Sequence, residues 1–600
     1  MNRVERRPAR YKPYLWAVGT DLETLPIDEL VGQRYRVVAP HIWLDTQPEA
    51  RPSDPDTFPT EAKPYLRAHP HRLHVPGLYG VLERTGAPPI LLLDNAPIHP
   101  QAGALLPELE AGLFSASPLR QANWLWQLWQ LWGDLGELGL AWSVLVPSNL
   151  RVDGWRLRLL ELLPNGELEP PTLADLAELW RSLLSPLHLA ISEPLRAIVN
   201  RIDANDIDLS TLDLELNQIL LRQAATVSTR IALAGATAQG PTQPRNEDAC
   251  WPQGLQSETT GLQVAMVCDG VGGHDDGAIA SQLAVQSLQI QLQALLAEAQ
   301  NELRVLPPQI IIQQLEAVIR IVNELISFQN DNRGRVGRQR MGTTLVMAVV
   351  IPQRVQTEQG WERANEVYLA HVGDSRAYWI TPDYCHPLTV DDDIAGREVM
   401  ACRQSWPVAQ ERSDAGALTQ ALGTRSGEHL TPHIQRFVFD ETGILLLCSD
   451  GLSDNYRIED AWANYIGLII KDIVTLDSAV ASWIELANQK NGHDNTTVVL
   501  MQHKLLTPSA VPGDQGIPAG FGVESETVPP AGAKLYGESQ PQEEFVPTPA
   551  ASAPPRGVPR WILAVSGSVL LVGLLGWWWL ANRSPDVPEP PTAPPVAPAP

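Results

Sequence analysis

Apolar positions along this chain keep three different rhythms. Between Trp124 and Leu140 they fall at 125, 128, 132 and 135, with further tryptophans beside them. That 3.6-residue spacing predicts a core-facing helix. From about Arg230 the apolar residues gather instead into short runs beginning at Leu262, Val367, Ile444 and Thr496, and each predicts a strand. The third pattern, Trp561 to Ala581, holds 21 positions without a charge. At about 1.5 Å per residue this is roughly 30 Å of helix, the apolar thickness of a bilayer. Trp577, Trp578 and Trp579 at one end suit a membrane interface. The segment is expected to be a transmembrane helix. Arg556 and Arg560 precede it, whereas Arg583 is soon followed by Asp586 and Glu589. The positive-inside bias then places the large N-terminal part in the cytoplasm, as a single-pass protein of the cytoplasmic membrane.

The same rhythms set boundaries. Residues 1–222 are rich in Leu, Trp and Pro and hold only two lysines, Lys12 and Lys63; residues 230–504 form a second domain of strands and Asp-Gly turns. Six hundred residues exceed what one core organises. Residues 505–559 are dominated by Pro, Gly, Ser, Ala and Glu, too few large apolar groups to fold, and read as a disordered linker. Residues 561–581 are the expected span, and 582–600 form a tail with eight prolines. With 44 basic against 69 acidic residues the formal charge is −25, which excludes nucleic acid as a partner and is compatible with hard cations. The five cysteines, Cys250, Cys268, Cys385, Cys402 and Cys448, include no CxxC pair, so neither a zinc site nor a disulfide framework is indicated. The first residues, MNRVERRPARYKPYL, lack the apolar run of a secretory signal.

Candidate chemistry enters at the ends of the predicted strands. Asp269-Gly270 follows the run from Leu262, Asp374 follows the run from Val367, Asp450-Gly451 follows the run from Ile444, and Asp494-Asn495 precedes the run from Thr496. One such carboxylate is a common turn device. Four of them, brought to one sheet edge, repel unless protons or cations lie among them. An all-oxygen set without Cys or paired His favours Mg²⁺ or Mn²⁺ over Zn²⁺. Two such ions about 3.5–4 Å apart can activate a water against phosphorus.

Six motifs occur in order: Asn246-Glu247-Asp248, Asp269-Gly270-Val271-Gly272-Gly273-His274, Gly342-Thr343-Thr344, Gly373-Asp374-Ser375-Arg376, Ser449-Asp450-Gly451-Leu452 and Asp494-Asn495-Thr496-Thr497. Together they resemble the metal-dependent protein phosphatase family of bacterial type, also called the protein phosphatase 2C family, over about 270 residues. The resemblance implies an α+β fold, a four-layer α-β-β-α sandwich, with a phosphoserine/phosphothreonine phosphatase site at one end. It implies that Asp269 bridges two Mn²⁺ or Mg²⁺ ions, that the Gly270 carbonyl ligates one, and that Asp450 and Asp494 complete the inner carboxylates. Glu247 and Asp248 would hold metal-bound water or contact the second ion, and Asp374 and Asp391 match a third site seen in bacterial members. For Asp374 a turn carboxylate paired with Arg376 is the competing reading. Two positions depart from the pattern: Gln243 stands where many members carry a phosphate-binding arginine, and Val271 where many carry a histidine. Arg245 is either the replacement phosphate ligand or a surface arginine.

The N-terminal domain has its own echo. Val146-Pro147-Ser148-Asn149, then Leu150-Arg151-Val152-Asp153-Gly154, resembles the catalytic-loop hairpin of protein kinases, in a degenerate form. The catalytic aspartate would fall at Val144 and the metal-binding one at Glu161, and no Gly-rich loop lies near Gly32. A dead kinase-like domain of mixed structure is expected, regulating the phosphatase or docking a Ser/Thr kinase or phosphoprotein. The expected activity is membrane-tethered dephosphorylation of phosphoproteins; the alternative is a pseudophosphatase scaffold that binds phosphoproteins without hydrolysis.

Overall fold

Alternation along single strands explains the layers of the C-terminal domain. In Val264–Cys268, Val264 and Met266 face the helices Asp276–Asn301 and Pro308–Asn332, while Ala265 and Val267 face a second sheet. The same division runs along Leu345–Thr357, with Leu345 and Met347 on one side and Val346 and Ala348 on the other. Strands apolar on both faces belong between two apolar layers. The first sheet has five strands, in the order Ala249–Trp251, Val264–Cys268, Leu345–Thr357, Gly360–Val372 and His433–Phe437. The second has six: Gly254–Gln256, Thr229–Ala238, Thr496–Leu505, Gly443–Cys448, Arg376–Ile380 and Cys385–Pro387. Its outer face is covered by Arg457–Ile470 and Leu476–Lys490. The result is a four-layer α-β-β-α sandwich. Between the sheets Trp379 stacks on Phe439 at 3.8 Å, and such a buried aromatic contributes about 2–3 kcal/mol of transfer free energy.

This computed structural model describes residues 14–506, except 53, 167–168, 257–262, 273–275, 302–304 and 359. The expected linker (507–559 of it), the expected transmembrane helix 561–581 and the tail 582–600 lie outside the described residues, as does His274. Among the described residues no helix is long and apolar enough to cross a membrane.

The N-terminal region begins with a six-stranded antiparallel sheet in the order Leu30–Val31, Tyr35–Ala39, Ile42–Asp45, Tyr14–Val18, Ala87–Asp94 and Gly77–Arg84. The expected tryptophan-rich helix is Pro118–Glu137: Ser117 accepts a hydrogen bond from the Arg120 N–H at its start, and Pro118 occupies the first turn. Leu125, Leu128 and Leu135 are buried as the spacing requires, and Trp132 is partly so. A hairpin, Leu150–Asp153 with Arg156–Leu159, follows, and then the helices Leu173–Leu183, Leu189–Asp203 and Leu209–Ala225.

This region and the sandwich share apolar cores. Val355, Ala364, Ala395, Val399, Ala409 and Val438 join the N-terminal core, while Leu73 and Trp155 enter the layer between the two sheets. Polar contacts reinforce the seam. Arg436 pairs with Glu366 at 2.5 Å, donates to Asn217 at 2.7 Å and lies 4.6 Å from the Trp126 ring; Arg120 reaches Asp440 and Glu441. The described residues accordingly form one compact unit.

Candidate metal centre

Strand polarity gathers the acidic residues. Val264–Cys268 and Gly360–Val372 both run antiparallel to Leu345–Thr357, so they are parallel to each other and end at the same edge. Asp269 and Asp374 therefore emerge together. Ala249 pairs with Cys268, which brings Glu247 and Asp248 to that edge as well. In the second sheet Cys448 pairs with Val498, so Asp450 after one strand meets Asp494 before the next.

Small and polar neighbours hold these groups. The Asp269 N–H donates to Thr344 Oγ1 at 3.0 Å, and its carbonyl accepts from Thr344 N–H at 2.8 Å and Thr343 Oγ1 at 2.9 Å. At Gly270 any side chain would run into the carbonyls of Gly277 and Glu247, so the chain passes where only glycine fits. Asp248 Oδ2 accepts from Ser449 Oγ at 2.8 Å and Thr497 Oγ1 at 2.7 Å. Asn495 fixes the first motif, accepting from Glu247 N–H at 2.8 Å and donating to the Arg245 carbonyl at 2.9 Å.

Electrostatics mark the cluster as a cation site. Burial, reinforced by the neighbouring Asp248, Asp450, Asp374 and Asp494, pushes the Asp269 carboxyl well up. Asp450 is raised well above its usual range by burial and then by Asp374, Asp454 and Asp494. Burial raises Asp374 to about 7, with Asp391 adding, and Asp248 to about 6, with Asp494 adding. Glu247 is raised more modestly by burial, opposed by Arg245. Asp450 Oδ1 is buried without a hydrogen-bond partner. Partly buried, mutually repelling carboxylates with an orphan oxygen fit hard divalent cations, and an all-oxygen set fits Mg²⁺ or Mn²⁺. No three of these carboxylates bring oxygens within 4.8 Å of one another.

The expected third-site residues differ in state. Asp391 is gripped by Arg376, which donates from Nε at 3.0 Å and from Nη2 at 2.6 Å, so the arginine serves Asp391 rather than Asp374. Gln243 turns inward, donating from Nε2 to Asp494 Oδ1 and to the His493 carbonyl, both at 2.9 Å. Arg245 is exposed and near enough to Glu247 to oppose its upward shift. Two neighbours escaped the sequence reading. Asp454 adds to the upward shifts of Asp374 and Asp450 and lies 3.1 Å from His493 Nε2, a bond that raises His493 to about 9. The signal was present: Asp454 stands one helical turn beyond Asp450.

Among the described residues the one group with metal-like spacing is His371, Asp392 and His433. Its donors are committed. His371 Nε2 lies 2.9 Å from the Val390 carbonyl, His433 Nε2 lies 3.0 Å from Asp392 Oδ1, and Asp392 Oδ2 accepts from Gly373 N–H at 2.9 Å. The two imidazoles stack at 4.8 Å, 18° from parallel, so they cannot both aim a lone pair at one ion. The group braces the loop carrying Asp391.

Beyond that loop lies a segment, termed the flap, with short helices Ile394–Met400 and Trp406–Ala409. The N-terminal region holds it. Asp54 Oδ2 accepts from Ser405 N–H at 2.8 Å, His69 packs on the Trp406 ring at 4.7 Å, and the Arg72 guanidinium lies 5.1 Å from the same ring.

The family described as Protein phosphatase 2C matches residues 242–484. Serine/threonine phosphatase stp of Listeria innocua serovar 6a is 30% identical over 245 residues, spanning 40% of this chain and 85% of that protein. Protein phosphatase PhpP of Streptococcus pneumoniae serotype 2 is 27% identical over 245 residues, spanning 40% and 86%. A crystal structure of the catalytic domain of the phosphatase PstP, in complex with 2 manganese ions, is 26% identical, covers 46% of this chain and 100% of its own, and superposes with a TM-score of 0.34.

Proposed function

The chain belongs to the protein phosphatase 2C family, and we propose that Asp269, Asp450 and Asp494 carry its chemistry, the hydrolysis of phosphoserine and phosphothreonine in proteins. Glu247, Asp248 and the Gly270 carbonyl complete the set that holds two Mn²⁺ or Mg²⁺ ions. When bound, the ions supply Lewis-acid polarisation and a water acidified toward neutral pH. The protein's part is to gather and orient the carboxylates, whose mutual repulsion bound cations would offset. Ser449, Thr497 and Thr344 hold Asp248 and Asp269 in place, and Gln243 fixes Asp494. Asp374 stands with a carboxylate that Arg376 does not claim and is the better third-site ligand; Asp391, held by Arg376, orients the arginine beside it. Arg245, exposed at the rim, is the basic group placed to meet substrate phosphate.

The observation that carries this reading is that mutually repelling carboxylates from both sheets share one edge, where Asp450 Oδ1 is left without a hydrogen-bond partner. The test is aryl-phosphate hydrolysis by the full chain with Mn²⁺ beside Asp269→Ala and Asp450→Ala. Each substitution is expected to lower the rate more than about 100-fold, since even supporting residues of metal sites cost 10–100-fold. A folded, Mn²⁺-supplied parent chain no faster than its variants would leave the phosphoprotein-binding scaffold as the better reading.

The N-terminal domain reads as a degenerate kinase-like fold. What supports this is its order of elements: antiparallel sheet, long helix Pro118–Glu137, hairpin, then helices. Phosphotransfer is not expected of it. Glu161, at the kinase metal position, accepts from Trp16 Nε1 at 2.7 Å, so its carboxylate is engaged by a tryptophan. Val144, at the catalytic position, is fully buried. Its hold on the flap favours a regulatory role toward the phosphatase itself over docking of a separate kinase. Residues 561–581 tether the protein to the membrane with the enzyme on the cytoplasmic side; the uncharged 21-residue stretch supports this. The full chain is then expected in the membrane pellet and a chain ending at residue 555 in the supernatant. Equal partitioning of both would remove the tether.

A further inference from the structure

A cavity of about 650 Å³ lies where the N-terminal region meets the phosphatase domain, lined by His69, Arg72 and Arg156 on one side and by His386 and Trp406 on the other. We propose that this cavity is a second binding site, for a small phosphate-type oxyanion, adjoining the metal centre through Asp391 and Asp454 and built jointly by the N-terminal region and the sandwich.

Buried nitrogens without partners carry the argument. His69 Nε2, Arg156 Nε and His386 Nδ1 have no hydrogen-bond partner, although each residue is more than nine-tenths buried. A buried polar group left unmatched costs about 1–3 kcal/mol. Arg156 Nε is a fixed donor that calls for an oxygen acceptor, and His69 joins it in the tautomer that donates from Nε2. His386, with Nε2 toward Asp153, instead presents Nδ1 as an acceptor. The remaining Arg156 nitrogens are used locally: Nη2 donates to Asp153 at 2.5 Å and Nη1 to the Leu73 carbonyl at 3.4 Å. Nε is the donor left over.

Charge points the same way. Arg72, Arg156 and Arg158 crowd together here against two carboxylates, Asp94 at 3.4 Å from Arg72 and Asp153 shared by Arg156 and Arg158. Three guanidiniums against two carboxylates leave one positive charge in this corner, while the rest of the lining sets Glu49, Asp391, Glu411, Asp454 and Glu459 against Arg51 and Arg376. Its field is visible on the neighbours: burial first, and then Arg156, pulls Arg158 down to about 9. Burial, and then Arg72, lowers His69, and burial with Arg156 lowers His386. An oxyanion would neutralise the excess and accept from Arg156 Nε.

Acidic groups elsewhere on the lining do not compete for that role. Asp391 is held by Arg376, Glu411 faces Arg51 at 3.3 Å and Asp454 faces His493. Burial raises Glu459, and Glu49 sits at the exposed mouth. Because Trp406 belongs to the flap, an anion held here ties the flap to the N-terminal domain, and by reciprocity flap position would set its affinity.

The test uses the full chain carrying Asp269→Asn, with EDTA present, so that the metal centre cannot take up phosphate. Calorimetric titration with inorganic phosphate in one arm and O-phosphoserine in the other asks whether the source is the free ion or a phosphoryl group on a larger molecule. Saturable binding in either arm, weakened at least tenfold by Arg72→Ala and by Arg156→Gln in chains that keep their melting temperature, is the expected result. Arg72 stands nearer the cavity mouth, so its variant remains informative if the Arg156 variant unfolds. No saturation in either arm up to about 10 mM, a free energy weaker than about −3 kcal/mol, would overturn the proposal. So would binding that Arg72→Ala leaves unchanged.

Discussion

Gln243 stands where relatives of this enzyme often place an arginine, and its amide has taken up another task. By donating to Asp494 Oδ1 and the His493 carbonyl it locks the carboxylate that begins the strand Thr496–Leu505. A group that orients a metal ligand is worth about 10–100-fold in metal affinity. Gln243→Ala is therefore expected to raise the Mn²⁺ concentration for half-maximal activity at least tenfold while leaving the rate at saturating Mn²⁺ within a few fold. Were Gln243 a substrate-binding group instead, the loss would appear in KM for the phosphate ester at saturating metal, and that outcome would refute the metal-orienting role. Other details at this scale were written in loops rather than in any period. The Arg376 grip on Asp391 spans 15 residues, and the Asp454–His493 contact spans 39. Side-chain choice among several loop partners leaves no spacing to read, so both the committed state of Asp391 and the presence of Asp454 waited for the structure.

At the scale of elements the site was largely legible. Runs of alternating burial give strands, acidic residues at their ends give an edge, and the antiparallel order puts those ends together. Much less legible was the flap, whose short helices Ile394–Met400 and Trp406–Ala409 have too few residues for a clear period. What holds them lies far away in the chain: the Asp54–Ser405 bond links positions 351 apart. The flap is thus held in part by the N-terminal region, with Trp406 as its anchor between His69 and Arg72. Stacking and cation–π contacts of this kind contribute about 0.5–2 kcal/mol each. Trp406→Ala is expected to speed amide hydrogen exchange across 394–412 by roughly tenfold, with exchange in Gly443–Cys448 unchanged. Uniform acceleration throughout the sandwich would mean that Trp406 supports the global fold and not the flap.

For the whole molecule, the boundary near residues 222–230 marks a change of pattern without marking a change of core. Trp155 and Leu73 sit in the layer between the two sheets, and Trp155 meets Phe437 edge-on at 5.4 Å. In return Val355, Ala364 and Val438 complete the N-terminal core. Neither half closes its apolar surface alone, and the buried Arg436–Glu366 pair with Asn217 and Trp126 across the seam would leave unmatched charge if the halves parted. Domains that share cores unfold together. Calorimetry of the full chain is expected to give one transition covering both halves. Trp155→Ala, which empties an aromatic site between the sheets at a cost of about 3–5 kcal/mol, should move that single transition down as a whole. If two resolved transitions appear and Trp155→Ala shifts only one, the seam is a weak contact. In that case residues 1–225 could be removed without harm to the phosphatase. If the transition stays single, loss of those residues would expose the seam and release the flap at once, so regulation by the N-terminal domain must be probed by point substitutions inside the intact chain.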